Sequence, residues 1–229
     1  MGNQNIEAVL FDMDGTIIDS EPHWLRAEQE LVEKFGGTWS EEQGLALVGS
    51  GLWNSASLLQ NAGVDMDVDD IVLHLSNRVL HLVNESIPWL PGVRELIAEL
   101  MQQGIPCALV TMSLRKNAEA LAHAISQEIG QEVFSVIVGG DDVEYPKPNP
   151  EAYLSAAHQL GVDVTRCVAF EDSSFGAASA FSAGAVTIGV PLAVQIPHHS
   201  VHVLWDSMRG KTLADLTELW NLHRSQDGA

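Results

Sequence analysis

The sequence is poor in cysteine, and its two cysteines show no pattern of a disulfide or a metal site. Cys107 and Cys167 lie far apart, each in an apolar run that predicts a buried strand, and neither belongs to a Cys-x-x-Cys pair. Thiols in such positions pack as small apolar side chains and indicate a reducing compartment. We therefore expect a cytoplasmic protein with two core thiols.

Basic residues are also scarce. The chain has 11 lysines and arginines against 31 acidic residues, which gives a formal net charge of -20. Such a balance argues against nucleic acid or an anionic membrane as a partner. A lysine and a divalent metal can still form a local positive pocket, because charges beyond roughly 10 Å are largely screened at physiological salt.

Long apolar runs are absent from the sequence. No stretch approaches the 18 or so residues of a membrane span, and residues 1–6 lack the apolar region of a signal peptide. We expect neither a membrane partner nor targeting to another compartment. The sequence leaves the oligomeric state open and is compatible with a monomer.

What the sequence does contain is an alternation of short apolar runs and helical segments. The runs predict strands at residues 8–10, 106–110, 135–138, 167–170 and 185–190. Helical spacing lies between and around the later runs, near residues 93–103, 115–129, 150–160 and 175–182. Right-handed crossovers then give an α/β fold, a Rossmann-like parallel sheet with helices on both faces.

The segment between residues 17 and 88 has a different pattern, with helical spacing and no predicted strand. An apolar stripe from Trp24 to Phe35 ends at Gly36-Gly37, and further helices are expected near residues 41–48, 53–61 and 68–84. We predict a helical domain at residues 18–88, inserted after the first strand. The α/β core then consists of residues 1–17 and 89–229.

Polar residues stand where the predicted strands end. Ligands bind parallel sheets at the carboxyl ends of the strands, so these residues should converge on one site. A lysine between two prolines, directly before a predicted helix, has a fixed backbone and is a further candidate. The candidates are Asp12, Asp14, Thr111, Met112, Ser113, Lys147, Glu171 and Asp172.

Four of these segments together form a recognisable set. They are Asp12-Met13-Asp14-Gly15-Thr16, Thr111, Lys147-Pro148 and Glu171-Asp172-Ser173 followed by Gly176. In this order the chain resembles the haloacid dehalogenase (HAD) superfamily of phosphoaspartate-forming hydrolases, in the branch of beta-phosphoglucomutase and small sugar-phosphate phosphatases. The resemblance covers essentially the whole chain, and the helical insertion matches the cap domain of that family.

The resemblance implies a role for each aspartate of the first motif. Asp12 would be the nucleophile that becomes phosphorylated. Asp14 would protonate the departing alcohol and later deprotonate the attacking water. Its presence argues against dehalogenation, because the dehalogenases lack this second aspartate.

The resemblance also implies a divalent metal, Mg²⁺, at the strand ends. Its ligands would be Asp12, Asp172 and the backbone carbonyl of Asp14, with Glu171 acting through a water. Ligand sets made only of oxygen suit magnesium, which keeps several waters.

Substrate binding is assigned in the same way. Thr111 would hydrogen-bond a phosphoryl oxygen beside the Met112 amide, with Ser113 next to it, and Lys147 would offset negative charge on Asp12 and the phosphate. In the cap, Trp53 would either contact the leaving group or belong to the cap core.

The branch contains both phosphatases and mutases. Mutase relatives carry a cap histidine twelve residues after the nucleophile, where this chain has Trp24, and the loop at residues 47–53 lacks the arginine that binds a second phosphate. We predict a magnesium-dependent phosphatase acting on a small phosphorylated metabolite such as a sugar phosphate. The alternatives are a phosphosugar mutase and a catalytically silent binding protein on the same fold.

Overall fold

A computed structural model describes residues 6–48 and 51–224 of the chain. The strands within these residues are β1 (Ala8–Phe11), β2 (Cys107–Val110), β3 (Phe134–Val138), β4 (Cys167–Glu171), β5 (Val186–Gly189) and β6 (Val203–Leu204). The helices are α1 (Glu21–Lys34), α2 (Glu41–Leu45), α3 (Leu52–Asn61), α4 (Val68–Glu85), α5 (Val93–Gln102), α6 (Arg115–Ile129), α7 (Glu151–Leu160), α8 (Ser174–Ala183) and α9 (Leu213–Arg224). None of the described helices has the length and apolar character needed to cross a bilayer.

The strands form one parallel sheet in the order β3-β2-β1-β4-β5-β6. β1 lies in the middle, where Leu10 is paired with Ala108 of β2 and Ala169 of β4. All four residues of β1 are buried, as expected of an interior parallel strand. This confirms the predicted α/β fold with a parallel sheet.

Helices cover both faces of the sheet. Ala8 and Leu10 point to one face, which α7 and α8 cover with small side chains such as Ala156 and Ala180. Val9 and Phe11 point to the other face, packed with residues of α5, α6 and α9. Alternation along β1 thus divides the core into two layers, and it leaves the strand ends as the accessible edge.

The structure adds two elements that the sequence pattern does not predict, β6 and α9. β6 has two residues, too few to show a periodicity, and its position comes from pairing of Val203 with Ile188 of β5. α9 packs Leu216 and Trp220 into the core beside α5. Both elements depend on tertiary contacts for their placement.

The helices α1 to α4 occupy the segment between β1 and α5. α4 packs against α1 and α3 within this segment and against α6 of the sheet region. α1 has a proline in its first turn and is followed by Gly36 at φ 79°, a backbone conformation that glycine adopts readily. The predicted helical character of this segment is present over the residues that the structure describes.

The two connections between this helical segment and the sheet run side by side. The amide of Asp19 donates to the carbonyl of Pro88 at 2.8 Å, and the amide of Leu90 donates to the carbonyl of Ile17 at 3.0 Å. The chain thus leaves and re-enters the sheet region at adjacent points. We propose on this basis that residues 18–88 form a cap domain on a core of residues 1–17 and 89–229.

Candidate active site

The candidate residues lie together at the carboxyl edge of the sheet. Asp12 directly follows β1, Thr111 directly follows β2, and Glu171 is the last residue of β4. Lys147 belongs to the loop between β3 and α7 and reaches the same place. The structure therefore brings together side chains that are up to 160 positions apart, since Asp172 also joins Asp12.

Lys147 is the cation at the centre of this site. Its Nζ lies 2.7 Å from Asp12 Oδ1 and 2.6 Å from Glu171 Oε1, and it also donates to the carbonyl of Val110 at 2.9 Å. The side chain is almost completely buried. Burial lowers the pKa of Lys147, but the two carboxylates outweigh it and leave the pKa above its usual value.

Glu171 is a buried carboxylate held by several donors. Besides Lys147, the hydroxyl of Tyr153 donates to Glu171 Oε1 at 2.6 Å, and Ser173 Oγ donates to Oε2 at 3.4 Å. Gly176 in α8 packs directly against this group, because a Cβ at that position would lie 1.9 Å from Glu171 Oε2. The Glu171 carboxylate is thus held in a fixed position, joined to Asp12 through Lys147.

Asp172 completes a buried acidic cluster with Asp12 and Glu171. One carboxylate oxygen from each of the three lies within 4.8 Å of the other two. Asp172 Oδ2 is buried and has no hydrogen-bond partner among the described residues. Burial of the side chain, with the charges of Asp12 and Glu171, raises the pKa of Asp172 well above its usual value.

This cluster fits a divalent cation. A buried oxygen without a partner costs free energy that a metal ligand bond offsets, and a cation reverses the mutual repulsion of the carboxylates. The donor set contains only oxygen, which suits a hard cation. The three carboxylates can therefore hold a metal ion.

Asp14 lies at the same edge and receives three hydrogen bonds. Ser20 Oγ donates to Asp14 Oδ1 at 2.5 Å, and Trp24 Nε1 donates to the same oxygen at 3.1 Å. Ser113 Oγ donates to Asp14 Oδ2 at 2.7 Å. The side chain of Asp14 is thus oriented by donors from the helical segment and from the loop after β2.

The loop after β2 contributes the remaining polar groups. The hydroxyl of Thr111 is buried and accepts a hydrogen bond from the amide of Ser113 at 3.0 Å. Met112 Sδ accepts from the amide of Lys147 at 3.4 Å, which ties the two loops together. These three residues of the loop and Lys147 all line one cavity with Asp12 and Asp14.

Trp53, a predicted substrate contact, does not line this cavity. Its neighbour Leu52 lines the cavity, and one position on a helix turns the side chain by about 100°. Trp53 is 39% exposed, and its Nε1 donates to Asp69 in α4 at 2.9 Å. It joins α3 to α4 on the outside of the helical segment.

Three residues of the site were not identified as such from the sequence. The sequence does not indicate a functional role for Tyr153 or Ser20. Tyr153 is an aromatic residue on an amphipathic helix, and Ser20 is a serine directly before α1. The sequence marks Trp24 only as the residue that stands where the mutases have a histidine. Its link to Asp14 is the hydrogen bond from Trp24 Nε1 to Asp14 Oδ1. A side-chain hydrogen bond of this kind produces no recognisable pattern in the sequence.

The fold and the site together define a class of protein. A parallel α/β sheet carries, at its carboxyl edge, a lysine-paired aspartate, a second aspartate beside it and an acidic cluster that could hold a cation. Carboxylates in such an arrangement can serve nucleophilic attack and proton transfer, the chemistry of a hydrolase.

Comparison with known proteins places the chain within that class. The family model for haloacid dehalogenase-like hydrolases matches residues 9–190, and the chain belongs to this family. It is 32% identical over 202 residues to hexitol phosphatase B of Escherichia coli K12, covering 82% of this chain and 85% of the relative. Identity to fructose-1-phosphate phosphatase YqaB of the same organism is 31% over 186 residues, covering 80% of this chain and 96% of the relative.

A solved structure agrees with the sequence comparison. The crystal structure of CbbY from Rhodobacter sphaeroides in complex with xylulose 1,5-bisphosphate matches with a TM-score of 0.83 at 30% identity, covering 92% of this chain and 99% of CbbY. This similarity supports the fold described above.

Proposed function

We propose that this protein is a magnesium-dependent phosphatase that hydrolyses a small phosphorylated metabolite, such as a sugar phosphate, through a phosphoaspartate on Asp12. The single observation that carries the proposal is the arrangement of the two aspartates at one cavity. Asp12 Oδ1 is held by Lys147, which leaves Oδ2 without a hydrogen-bond partner among the described residues, and Asp14 lines the same cavity. A positioned carboxylate next to a second acid is what phosphoryl transfer by covalent catalysis requires.

In the first step, Asp12 Oδ2 attacks the phosphorus atom. The bond from phosphorus to the ester oxygen breaks, and protonated Asp14 donates its proton to that oxygen, which leaves as an alcohol. Ser20 and Ser113 can pair with either protonation state of Asp14, because a hydroxyl both donates and accepts. The indole N–H of Trp24 can only donate, and it donates to Asp14 Oδ1. The proton of Asp14 is therefore placed on Oδ2.

In the second step, a water attacks the phosphorus atom of the phosphoaspartate. Asp14 takes one proton from the water, the bond between phosphorus and the Asp12 oxygen breaks, and phosphate leaves. Asp12 is again a carboxylate and Asp14 is again protonated, so the cycle closes. Thr111 and Lys147 act as donors toward the phosphoryl oxygens during both steps.

The proposed metal is Mg²⁺, which Asp12, Asp172 and the backbone carbonyl of Asp14 would hold, with Glu171 acting through a water. When bound, the ion neutralises negative charge on the phosphoryl group and the carboxylates, so that two anions can approach each other. The unpartnered Oδ2 of buried Asp172 supports this assignment.

Names of the relatives support a phosphorylated sugar or sugar alcohol as substrate. Hexitol phosphatase B, fructose-1-phosphate phosphatase YqaB and a phosphorylated carbohydrates phosphatase of Thermotoga maritima are each about one third identical to this chain. We propose the same broad class of substrate for this protein.

The test is release of inorganic phosphate from 4-nitrophenyl phosphate and glucose 6-phosphate, with Mg²⁺ and with a chelator. We expect turnover only with the metal, and a loss of roughly three orders of magnitude or more in Asp12→Asn. The matched control is Asp65→Asn, which changes an exposed aspartate of the helical segment and should keep full activity.

Other outcomes separate the alternatives. Conversion of glucose 1-phosphate to glucose 6-phosphate without free phosphate would identify a mutase. Equal turnover in Asp12→Asn and the native protein would refute the nucleophile. No turnover with any phosphate ester would point to a silent binding protein.

A further inference from the structure

The cavity at the active site continues into the helical segment. It has a volume of about 280 Å³ and is lined at one end by Asp12, Asp14 and Lys147. At the other end its walls belong to the first four helices and their connections, and they are largely apolar. The apolar residues of this wall include Trp24, Leu25, Leu45, Leu47, Leu52 and Leu75. A phosphate bound at Asp12 would therefore place its leaving group among these side chains.

Glu28 interrupts this apolar wall. It is 5% exposed and lines the cavity from α1. Its Oε2 accepts a hydrogen bond from Trp39 Nε1 at 2.8 Å, whereas Oε1 has no hydrogen-bond partner among the described residues. A buried carboxylate with one neutral donor is left with an unmet capacity to accept hydrogen bonds. A ligand in the cavity can supply the missing donor.

The backbone of α2 closes the cavity beside this carboxylate. A Cβ at Gly44 would lie 2.6 Å from Leu25 Cδ1 and 3.2 Å from Glu28 Oε2. Only the absence of a side chain at this position allows the two helices to approach so closely. Glu28 is thus held in a fixed place at the wall.

The ionisable side chains in this part of the cavity are acidic. Glu21 and Glu41 line it in addition to Glu28. The lining cation among the described residues is Lys147, and it is already paired with Asp12 and Glu171.

No lysine or arginine of the helical segment lies beside these carboxylates. Residues 18–88 contain Arg26, Lys34 and Arg78, and none of them lines the cavity. Both arginines pair with Glu30 on the exposed side of α1 instead. A second phosphate or a carboxylate on the leaving group would meet acidic side chains without a counterion, which disfavours its binding.

We infer, on the basis of the proposed phosphatase function, that the substrate is a phosphate monoester whose leaving group carries no second anionic group and presents a hydroxyl or ammonium donor to Glu28. The apolar walls then pack against the carbon skeleton of the leaving group. Glu28 selects substrates by accepting a hydrogen bond from the hydroxyl or ammonium group. Glu28 acts as a specificity residue, separate from the groups that transfer the phosphoryl group.

The test compares four probes with the same six-carbon framework. Glucose 6-phosphate offers hydroxyl groups and glucosamine 6-phosphate adds an ammonium group, whereas 6-phosphogluconate adds a carboxylate and glucose 1,6-bisphosphate a second phosphate. We expect kcat/KM for the first two to exceed that for the last two by about tenfold or more. A preference between glucose 6-phosphate and glucosamine 6-phosphate identifies which donor the site uses, and either result supports the inference.

Glu28→Gln tests the residue itself. The amide keeps the size of the side chain and removes its charge, so we expect the difference between neutral and anionic probes to shrink to about threefold or less. Glu33→Gln is the matched control, an exposed glutamate of α1 that does not line the cavity, and it should keep the full difference. Glu28→Asp is a second variant, which retains the charge and should still reject the anionic probes.

Two results would overturn the inference. One is equal hydrolysis of the anionic and neutral probes by the native protein. The other is a uniform loss on all four probes in Glu28→Gln, which would indicate a structural role.

Calorimetric binding of the four probes to Asp12→Asn separates this inference from the phosphatase proposal. If the native protein hydrolyses none of the probes and not 4-nitrophenyl phosphate, the phosphatase proposal fails. The binding preference then decides the inference, because tighter binding of the neutral and ammonium probes supports it and equal binding of all four overturns it.

Discussion

Trp24 Nε1 donates a hydrogen bond to Asp14 Oδ1 at 3.1 Å, so the first helix of the inserted segment directly holds an acid at the end of the sheet. The same oxygen accepts from Ser20, and the other oxygen of Asp14 accepts from Ser113. A residue of the helical segment is therefore part of the support of the proposed acid and base. Trp24 occupies the position where a mutase is expected to have a histidine, and it donates a hydrogen bond to Asp14.

Trp24→Phe removes this donor while keeping an aromatic ring in the wall of the cavity. Asp14 is a carboxylate in the second step of the proposed mechanism, and hydrogen bonds to such a charged group contribute roughly 1.5 to 3 kcal/mol. We therefore expect kcat for 4-nitrophenyl phosphate to fall about tenfold or more, with little change in KM. Trp53→Phe is the matched control, because its indole N–H donates to Asp69 away from the cavity. Equal kinetics in the Trp24→Phe and native proteins would show that the hydrogen bond does not position Asp14.

Lys147→Met removes the cation between Asp12 and Glu171. Breaking a buried ion pair leaves uncompensated charge, and we expect the free energy of unfolding to fall by about 3 to 5 kcal/mol, measured by urea denaturation without added metal. Lys116→Met changes an exposed lysine that donates to Asn77, and it should shift stability by about 0.5 kcal/mol or less. Similar losses in the two variants would contradict the central role of Lys147.

Gly15→Ala tests the contact between the first motif and Asp172. A Cβ at Gly15 would lie 2.1 Å from Asp172 Oδ2, so the added methyl group must displace the carboxylate. We expect the affinity for Mg²⁺ to fall about tenfold or more, measured by calorimetric titration.

Gly104→Ala controls for the backbone cost of this substitution. Gly104 has a φ of 70°, close to the 79° of Gly15, but nothing lies within 4 Å of the added Cβ. Both variants lose stability from the left-handed conformation, by roughly 1 to 2 kcal/mol. Only Gly15→Ala should lose metal affinity, and unchanged affinity in that variant would argue against Asp172 as a ligand.

The stability of the protein should depend on pH through Glu28. Burial raises the pKa of this carboxyl from its usual 4.5 to about 7, although the hydrogen bond from Trp39 acts in the opposite direction. The folded protein then binds the proton more tightly than the unfolded chain does. The stabilising contribution of protonated Glu28 is fully present below about pH 4.5 and is lost as the pH rises through about 7.

Glu28→Gln should therefore gain stability relative to the native protein on going from about pH 5 to about pH 8, by up to roughly 3 kcal/mol. Chemical denaturation of both proteins at the two pH values measures this difference. Other titrating groups largely cancel in the comparison. A difference in stability that does not change with pH would show that Glu28 has no raised pKa.

The thiol of Cys107 should be unreactive in the folded protein. Burial raises its pKa to about 12, so almost no thiolate is present at about pH 8. Cys167 is also buried. We expect an aromatic disulfide reagent to label neither thiol in the native protein and both after unfolding in guanidinium. Rapid labelling of the native protein would contradict the burial of these residues.

The sequence by itself determined the parts of this protein that depend on local patterns. Apolar runs located β1 to β5, because a buried parallel strand must be apolar on both faces. Asp12, Thr111, Glu171 and Asp172 could be identified as site candidates because they are polar residues at the ends of those runs. Polar groups are costly inside a buried strand, whereas at its end they can reach solvent or a ligand. Lys147 was identifiable from its two flanking prolines.

Only the tertiary structure decided which side chains meet. The sheet order, the position of β6 and the packing of α9 depend on contacts between distant segments, and so do the bond from Tyr153 to Glu171 and the position of Trp53 away from the cavity. The largely apolar cavity around Glu28 also arises from several helices at once. A hydrogen bond or a cavity wall is set by the direction of side chains in space, and residue spacing along the chain does not contain that information.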